Sequence, residues 1–146
     1  MRRISFEIPG EPVGKGRPRF VTKGRGGKPL PFPMVYTPVK TKEYEAKVIT
    51  CFLEIAKKRL LIEGAVSLSI YAHYGIAKSG TKAIKELKES QKKPVLKKPD
   101  ADNVMKIIKD ALNNVAYKDD AQVTEAAIEK KWSYDPHVSV LLQWDD

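Results

Sequence analysis

Four aspartates in one short stretch carry most of the chemistry that this chain offers. From Lys98 to Val123 it reads KPDADNVMKIIKDALNNVAYKDDAQV, with Asp100 and Asp102 two apart and Asp119 beside Asp120. Hard carboxylate oxygens suit Mg²⁺, which is usually held by one or two carboxylates together with waters and substrate phosphate oxygens. Three clustered aspartates would hold such an ion against a phosphodiester, where it polarises the phosphoryl group, generates a hydroxide nucleophile and stabilises the leaving oxygen. Lys106 lies four residues after Asp102, one helical turn along the same face, within reach of a scissile phosphate or an attacking water. Asp110 continues that face and is placed to orient Lys106.

Blander roles fit the same residues. Asp102 suits a helix N-cap, Asp100 the positive end of that helix, Asp119 with Asp120 a solvated turn, and Lys106 with Asp110 a surface contact. In extended backbone before the helix, Asp100 and Asp102 would project to one side. The second pair follows the helix, and the two pairs meet only if the neighbouring strand returns the chain, which the residues alone do not decide.

Hydrophobic spacing names the elements that must position these groups. Ile4 to Ile8 alternates apolar with polar and reads as a strand ended by Pro9 and Gly10, and Ala65 to Tyr74 and Val123 to Trp132 read as further strands. Val138 to Trp144 gives a last strand, and Val35 with Tyr36 a short one. Thr41 to Leu60 places Tyr44, Val48, Cys51, Phe52, Ile55 and Ala56 at helical spacing, and Asp102 to Ala116 does the same with Val104, Ile107, Ile108, Ala111, Leu112 and Val115. Thr81 to Ser90 is a short polar helix, followed by a Lys-rich connector to Lys98. The expected fold is α+β: a mixed sheet of about four to five strands packed with two main helices.

Composition bounds the rest. A chain of 146 residues, 42% hydrophobic and 31% charged, is globular in composition and of a size for one domain over residues 1–146. The longest uncharged stretch, Gly64 to Ala77, has 14 residues and alternates, so it is too short and too polar for a membrane span. The apolar run after Arg2 and Arg3 stops at Glu7, too early for a signal peptide, so a cytoplasmic location is expected. Cys51 is the only cysteine, which excludes an internal disulfide and a cysteine-rich zinc site. Neither His73 nor His137 has a partner pattern for metal ligation, and each reads as a surface or hydrogen-bonding group.

The net charge of +9 is unevenly spread: residues 1–98 hold 22 Lys/Arg against 8 Asp/Glu, and residues 99–146 hold 5 against 10. A basic body joined to an acidic patch fits a protein that attracts a polyanion and holds cations against it. Residues 9–38 contain seven of the ten prolines and six of the nine glycines and read as a long basic loop. Within it Lys15, Arg17 and Arg19 alternate, so in extended backbone they share one side and are expected to contact DNA phosphates. A mobile basic loop without a target is the alternative.

The segment Lys98, Pro99, Asp100, Asp102, Asn103, Lys106, Asp110, Ala111, Leu112, Asp119, Asp120 and Gln122 resembles the signature of the RusA family of Holliday junction resolvases. Near the amino terminus, Pro9, Gly10, Pro12, Lys15, Arg17, Pro18 and Arg19 resemble that family's opening motif. The resemblance implies a homodimeric, Mg²⁺-dependent endonuclease, with Mn²⁺ able to stand in, that makes paired symmetric nicks in four-way DNA junctions during recombination and repair. By position it implies Asp100, Asp102 and Asp120 as metal ligands, Asp119 as the weaker of its pair, and Lys106 as the catalytic lysine; Asn103 and Asp110 are candidates for supporting them from behind. A two-fold pair of sites matches the symmetry of a junction whose two strands must be cut. Two other readings stand beside this one: a non-catalytic basic DNA-binding module whose aspartates cap a helix, and a metal nuclease acting on flaps or other branched DNA.

Overall fold

A computed structural model of the chain describes all 146 residues. Four strands make one sheet: β1 (Arg2–Pro9), β4 (Val66–Gly75), β5 (Val123–Ser133) and β6 (His137–Trp144), in the order β1-β6-β4-β5. β6 is antiparallel to both its neighbours, whereas β4 and β5 are parallel, so the sheet is mixed as expected. β2 (Arg19–Lys23) and β3 (Pro29–Tyr36) form a separate two-stranded sheet, so residues 9–38 carry a hairpin where a loop with only a short strand at Val35 was expected. It pairs Phe20 with Val35 and Val21 with Met34. Prolines 29, 31 and 33 hide β3 in the sequence. In a two-stranded sheet one side of every strand is an edge, where a residue without an N–H loses no ladder bond.

Three helices pack on the sheet: α1 (Val39–Ala56) against β1, and α2 (Lys82–Glu89) and α3 (Ala101–Ala111) against β5, with α1 also touching α3. The strand alternation explains how. Val66, Leu68, Ile70, Ala72 and Tyr74 of β4 and Val138, Val140 and Leu142 of β6 join Val48, Phe52, Val104, Ile107 and Ile108 of the helices in one buried core.

Both main helices end sooner than their apolar spacing suggests. α1 stops where Lys57 turns left-handed (φ 67°) and donates its N–H to Leu53 O at 2.8 Å, and Ile55 in its last turn is exposed. After α3, Leu112, Val115 and Ala116 turn beneath the same core, and Ile62 N–H donates to Ala116 O at 2.9 Å. The apolar stripe continues while the helix does not. No helix is long and apolar enough to cross a membrane.

Parallel pairing of β4 with β5 forces a crossover, because the chain leaves the far end of β4 at Gly75 and must re-enter beside its start, where Val66 pairs with Val123. α3 makes that return. Its 11 residues span roughly 16 Å at about 1.5 Å per residue.

On the sheet face away from the helices, His73 and His137 stack with ring centroids 4.1 Å apart. The Nδ1 of His73 is buried without a hydrogen-bond partner, Lys131 pairs with it across the strands, and Glu7 lies 4.0 Å from Nε2 of His137. Burial first, and the His137 ring second, lower the pKa of His73 from its ordinary value of 6.5. The unfolded chain therefore takes up a proton that the folded one resists, so stability is full above about pH 6.5 and falls with pH below it. We expect the melting temperature to drop between pH 6.5 and 5 and His73→Asn to shrink that drop. An equal drop in the variant would remove the stack as its source.

Candidate active site

The two aspartate pairs bracket α3. Asp100 occupies the N-cap position (φ −69°, ψ 153°), yet its side chain makes no capping bond. Both its oxygens instead meet Lys98 Nζ, at 2.8 and 3.0 Å. The hydrogen bond from Lys98 holds the Asp100 carboxyl below its usual pKa, with the charges of Lys98 and Lys130 adding to it. Tyr74 anchors this corner, its hydroxyl donating to Pro99 O at 2.6 Å. Burial, then the charges of Asp100 and Glu11, push that phenol up to about 12. Asp102 is not the N-cap. It lies exposed in the first helical turn, so the two carboxylates do not share an extended segment as expected. Lys106 follows, also exposed, one turn on.

At the other end, Asp119 and Asp120 enter a 3-10 turn, Asp120–Gln122, that leads into β5. Asp119 Oδ1 accepts from Ala121 N–H at 3.1 Å, and Gln122 Oε1 accepts from Asp119 N–H at 2.9 Å, a reciprocal capping box. Gln122 Nε2 also donates to Ile62 O and Gly64 O at 2.6 and 2.9 Å, and Asn113 Oδ1 accepts from Asp120 N–H at 3.1 Å. The turn is thus fastened by Gln122 and Asn113. Asp119 spends its carboxylate as a cap, while the backbone claims only the N–H of Asp120. Burial, the adjoining Asp119 and the charge of Asp110 raise the pKa of Asp120 against the pull of Lys109.

These donors are hard oxygens of the kind that suits Mg²⁺. Within one chain, however, Asp100 with Asp102 and Asp119 with Asp120 stand at opposite ends of an 11-residue helix, and no three metal-capable side chains converge. A three-carboxylate metal site does not fit a single copy.

Asp110 does not orient Lys106. Its Oδ2 lies 3.1 Å from Lys15 Nζ, and the same ammonium reaches Glu45 of α1 at 3.3 Å. Burial works against the Lys15 charge, but the hydrogen bond and charge of Asp110, joined by those of Glu45, outweigh it and leave the pKa raised. The backbone follows the side chain: Lys15 N–H donates to Asn103 O, and Gly16 N–H to the buried Thr41 Oγ1, both at 3.0 Å. A Cβ on Gly14 would stand 2.9 Å from Pro99 Cβ, and one on Gly16 2.7 Å from Thr41 Oγ1, so only glycine lets the strand of chain lie this close to both helices. Lys15 was expected on phosphate with Arg17 and Arg19; in this structure its ammonium clasps α1 to α3, while Arg17 and Arg19 are exposed. Sequence reading missed Glu45, whose partner is 30 residues away, and no local signal marks such a pair.

Removing the clasp leaves two carboxylates facing each other with reduced solvation. We expect Lys15→Met to lower unfolding free energy by about 1–3 kcal/mol and Arg17→Ala by less than about 0.5 kcal/mol, read from urea midpoints. A Lys15→Met protein of unchanged midpoint but weakened DNA binding would return this amine to the phosphate interface.

Comparison with known proteins bears on the same residues. The family model described as Endodeoxyribonuclease RusA matches residues 9–143. YqaN of Bacillus subtilis (strain 168), named only as an uncharacterized protein, is 35% identical over 143 residues, covering 96% of this chain and 95% of that one. The family match runs from the start of the proline-rich segment almost to the end of β6 and takes in both carboxylate pairs, and the chain belongs to the endodeoxyribonuclease RusA family.

Proposed function

We propose that this chain is a Mg²⁺-dependent endonuclease that acts in the cytoplasm as a homodimer and resolves four-way DNA junctions by paired symmetric nicks. The observation that carries the dimer is the placement of carboxylates at both ends of α3. Two copies related by a two-fold axis, with their α3 helices side by side and antiparallel, set Asp100 and Asp102 of one beside Asp120 of the partner subunit. Two equivalent carboxylate clusters result, one for each strand of the junction. The carboxyl of Asp120, which caps nothing, against the capping duty of Asp119, supports Asp120 as the principal ligand of its pair.

In each cluster Asp100, Asp102 and the partner's Asp120 would hold the ion, with Mn²⁺ able to replace Mg²⁺. When bound, the ion supplies Lewis-acid activation of the phosphodiester. Lys106, exposed one turn from Asp102, supplies positive charge for the phosphate oxygens as negative charge grows in the transition state. Arg17 and Arg19 track the DNA backbone, and Asn103 and Asp110 act through the clasped segment that they hold.

Two measurements test this reading. Strand-resolved cleavage of a labelled junction should require Mg²⁺ and vanish in Asp102→Asn, with binding kept or tightened because a negative charge facing phosphate is gone; loss of binding together with cleavage would count against a ligand role. Mixing Asp102→Asn with Asp120→Asn chains then tests sharing. A shared site leaves one wild-type cluster per mixed dimer, so nicking of one strand returns, whereas no recovery means that each site lies in one chain. Preference for flaps over junctions would move the substrate to other branched DNA, and binding without cutting in any divalent metal would leave a DNA-binding module.

A further inference from the structure

The segment between β4 and α3 carries charge that the proposed cutting site does not use. Residues 78–98 hold eight lysines against two glutamates, and one of those glutamates, Glu89, accepts the hydroxyl of Tyr134. Lysine-rich stretches are usually solvated and mobile. This one is fastened.

Gln91 pairs with Trp132 as a strand neighbour would: its Nε2 donates to Trp132 O and its Oε1 accepts from Trp132 N–H, both at 2.9 Å. The Trp132 indole donates to Lys93 O at 2.8 Å, Lys130 Nζ donates to Lys97 O at 2.7 Å, and Val95 is buried in the core. The connector is therefore held to β5 by the Gln91 side chain and by its own carbonyls at Lys93 and Lys97, with Val95 anchored in the core.

Between them opens a shallow hollow of about 340 Å³ lined by Lys88, Lys93, Pro94, Leu96, Lys97 and Trp132. Lys88 Nζ stands 4.3 Å and Lys97 Nζ 5.8 Å from the Trp132 ring centroid. No carboxylate lines the hollow. Leu96 is 86% exposed beside it, an apolar side chain with nothing of its own chain to cover it. The ammonium groups of Lys88 and Lys97 beside the Trp132 ring, with Lys93 lining the same largely apolar hollow, match one unit of a nucleic acid backbone, whose phosphate takes the charge while the apolar face of its sugar meets Pro94 and Leu96.

Position along the chain strengthens the match. Lys97 lies three residues before Asp100, and Lys130 bears both on Lys97 O and on the Asp100 carboxylate. DNA whose scissile phosphate sits at Asp100 has further phosphates within a few nucleotides of this hollow.

We propose that the hollow at Trp132 binds a backbone phosphate of the DNA arm flanking the cutting position, a contact separate from the Arg17 and Arg19 segment. This rests on the nuclease reading. The Lys93–Pro94 bend sets where the arm leaves the protein, and Lys88, Lys93 and Lys97 fix it there without reading its bases.

The test is the salt dependence of binding to a four-way junction in Ca²⁺, which prevents cutting, for wild type, Lys93→Gln/Lys97→Gln and the charge-matched control Lys42→Gln/Lys58→Gln on exposed parts of and after α1. Each phosphate contact contributes about 0.9 to the slope of log K against log salt. The hollow variant should lose roughly 1–2 from that slope and bind roughly 10–100-fold more weakly at about 100 mM salt, while the control changes neither. At saturating junction in Mg²⁺, the control should nick at the wild-type rate. A hollow variant indistinguishable from the control, or one weakened with no change in slope, overturns the proposal and leaves the nuclease reading standing. A wild-type protein that neither binds nor cuts DNA overturns both.

Discussion

The direction of α3 is the constraint from which the rest of the molecule follows. A strand paired in parallel with its predecessor can be reached only by carrying the chain back along the sheet, and here that return is one helix of three turns packed on β5. Whatever precedes the helix must lie at one end of the sheet and whatever follows it at the other. The aspartates of the family signature are divided by this geometry, and no side-chain adjustment brings carboxylates together across the length of a helix. The fold turns a linear motif into two separated pairs of carboxylates, and the proposed pairing of two copies is what would bring them together.

Electrostatics are arranged around the same helix. Its positive end faces Asp100 and Asp102, where the dipole favours carboxylates, and its negative end faces Asp110, Asp119 and Asp120, where it does not. The second end is accordingly where charge is managed. Lys15 is brought in from a distant segment to neutralise Asp110, Lys109 opposes the rise at Asp120, and Asp119 is absorbed into a cap. The glycines flanking Lys15 have the same origin, since a side chain at either would hold the clasp away from α3 and α1.

Most of the fold was legible because period and burial coincide: β4 and β6 bury every second residue, and α3 buries its stripe from Val104 to Ala111. The four-stranded mixed sheet and two main helices follow from that regularity. Boundaries failed where the core outlasted the helix, at Leu112 to Ala116, and where a left-handed Lys57 cut α1 short of Leu60. The hairpin was invisible because prolines in β3 mimic loop chemistry and its exposed side chains, Phe20, Phe32 and Met34, follow no core. Within the candidate site, residue types were readable and contacts were not. The part of Gln122 as staple and of Glu45 as counter-charge depends on chain segments dozens of residues away, and the division of the aspartates by α3 depends on a strand pairing that no local pattern states.

The amide of Gln91 has one more effect on the sheet. β5 is an edge strand, and an open edge invites a foreign strand to add to it. By taking both the N–H and the carbonyl of Trp132, one side chain closes the upper part of that edge to templated growth, while Glu129, Lys130 and Lys131 add charge beside it. Copies of the protein brought close together therefore find this part of the β5 edge already occupied and cannot join their sheets through it.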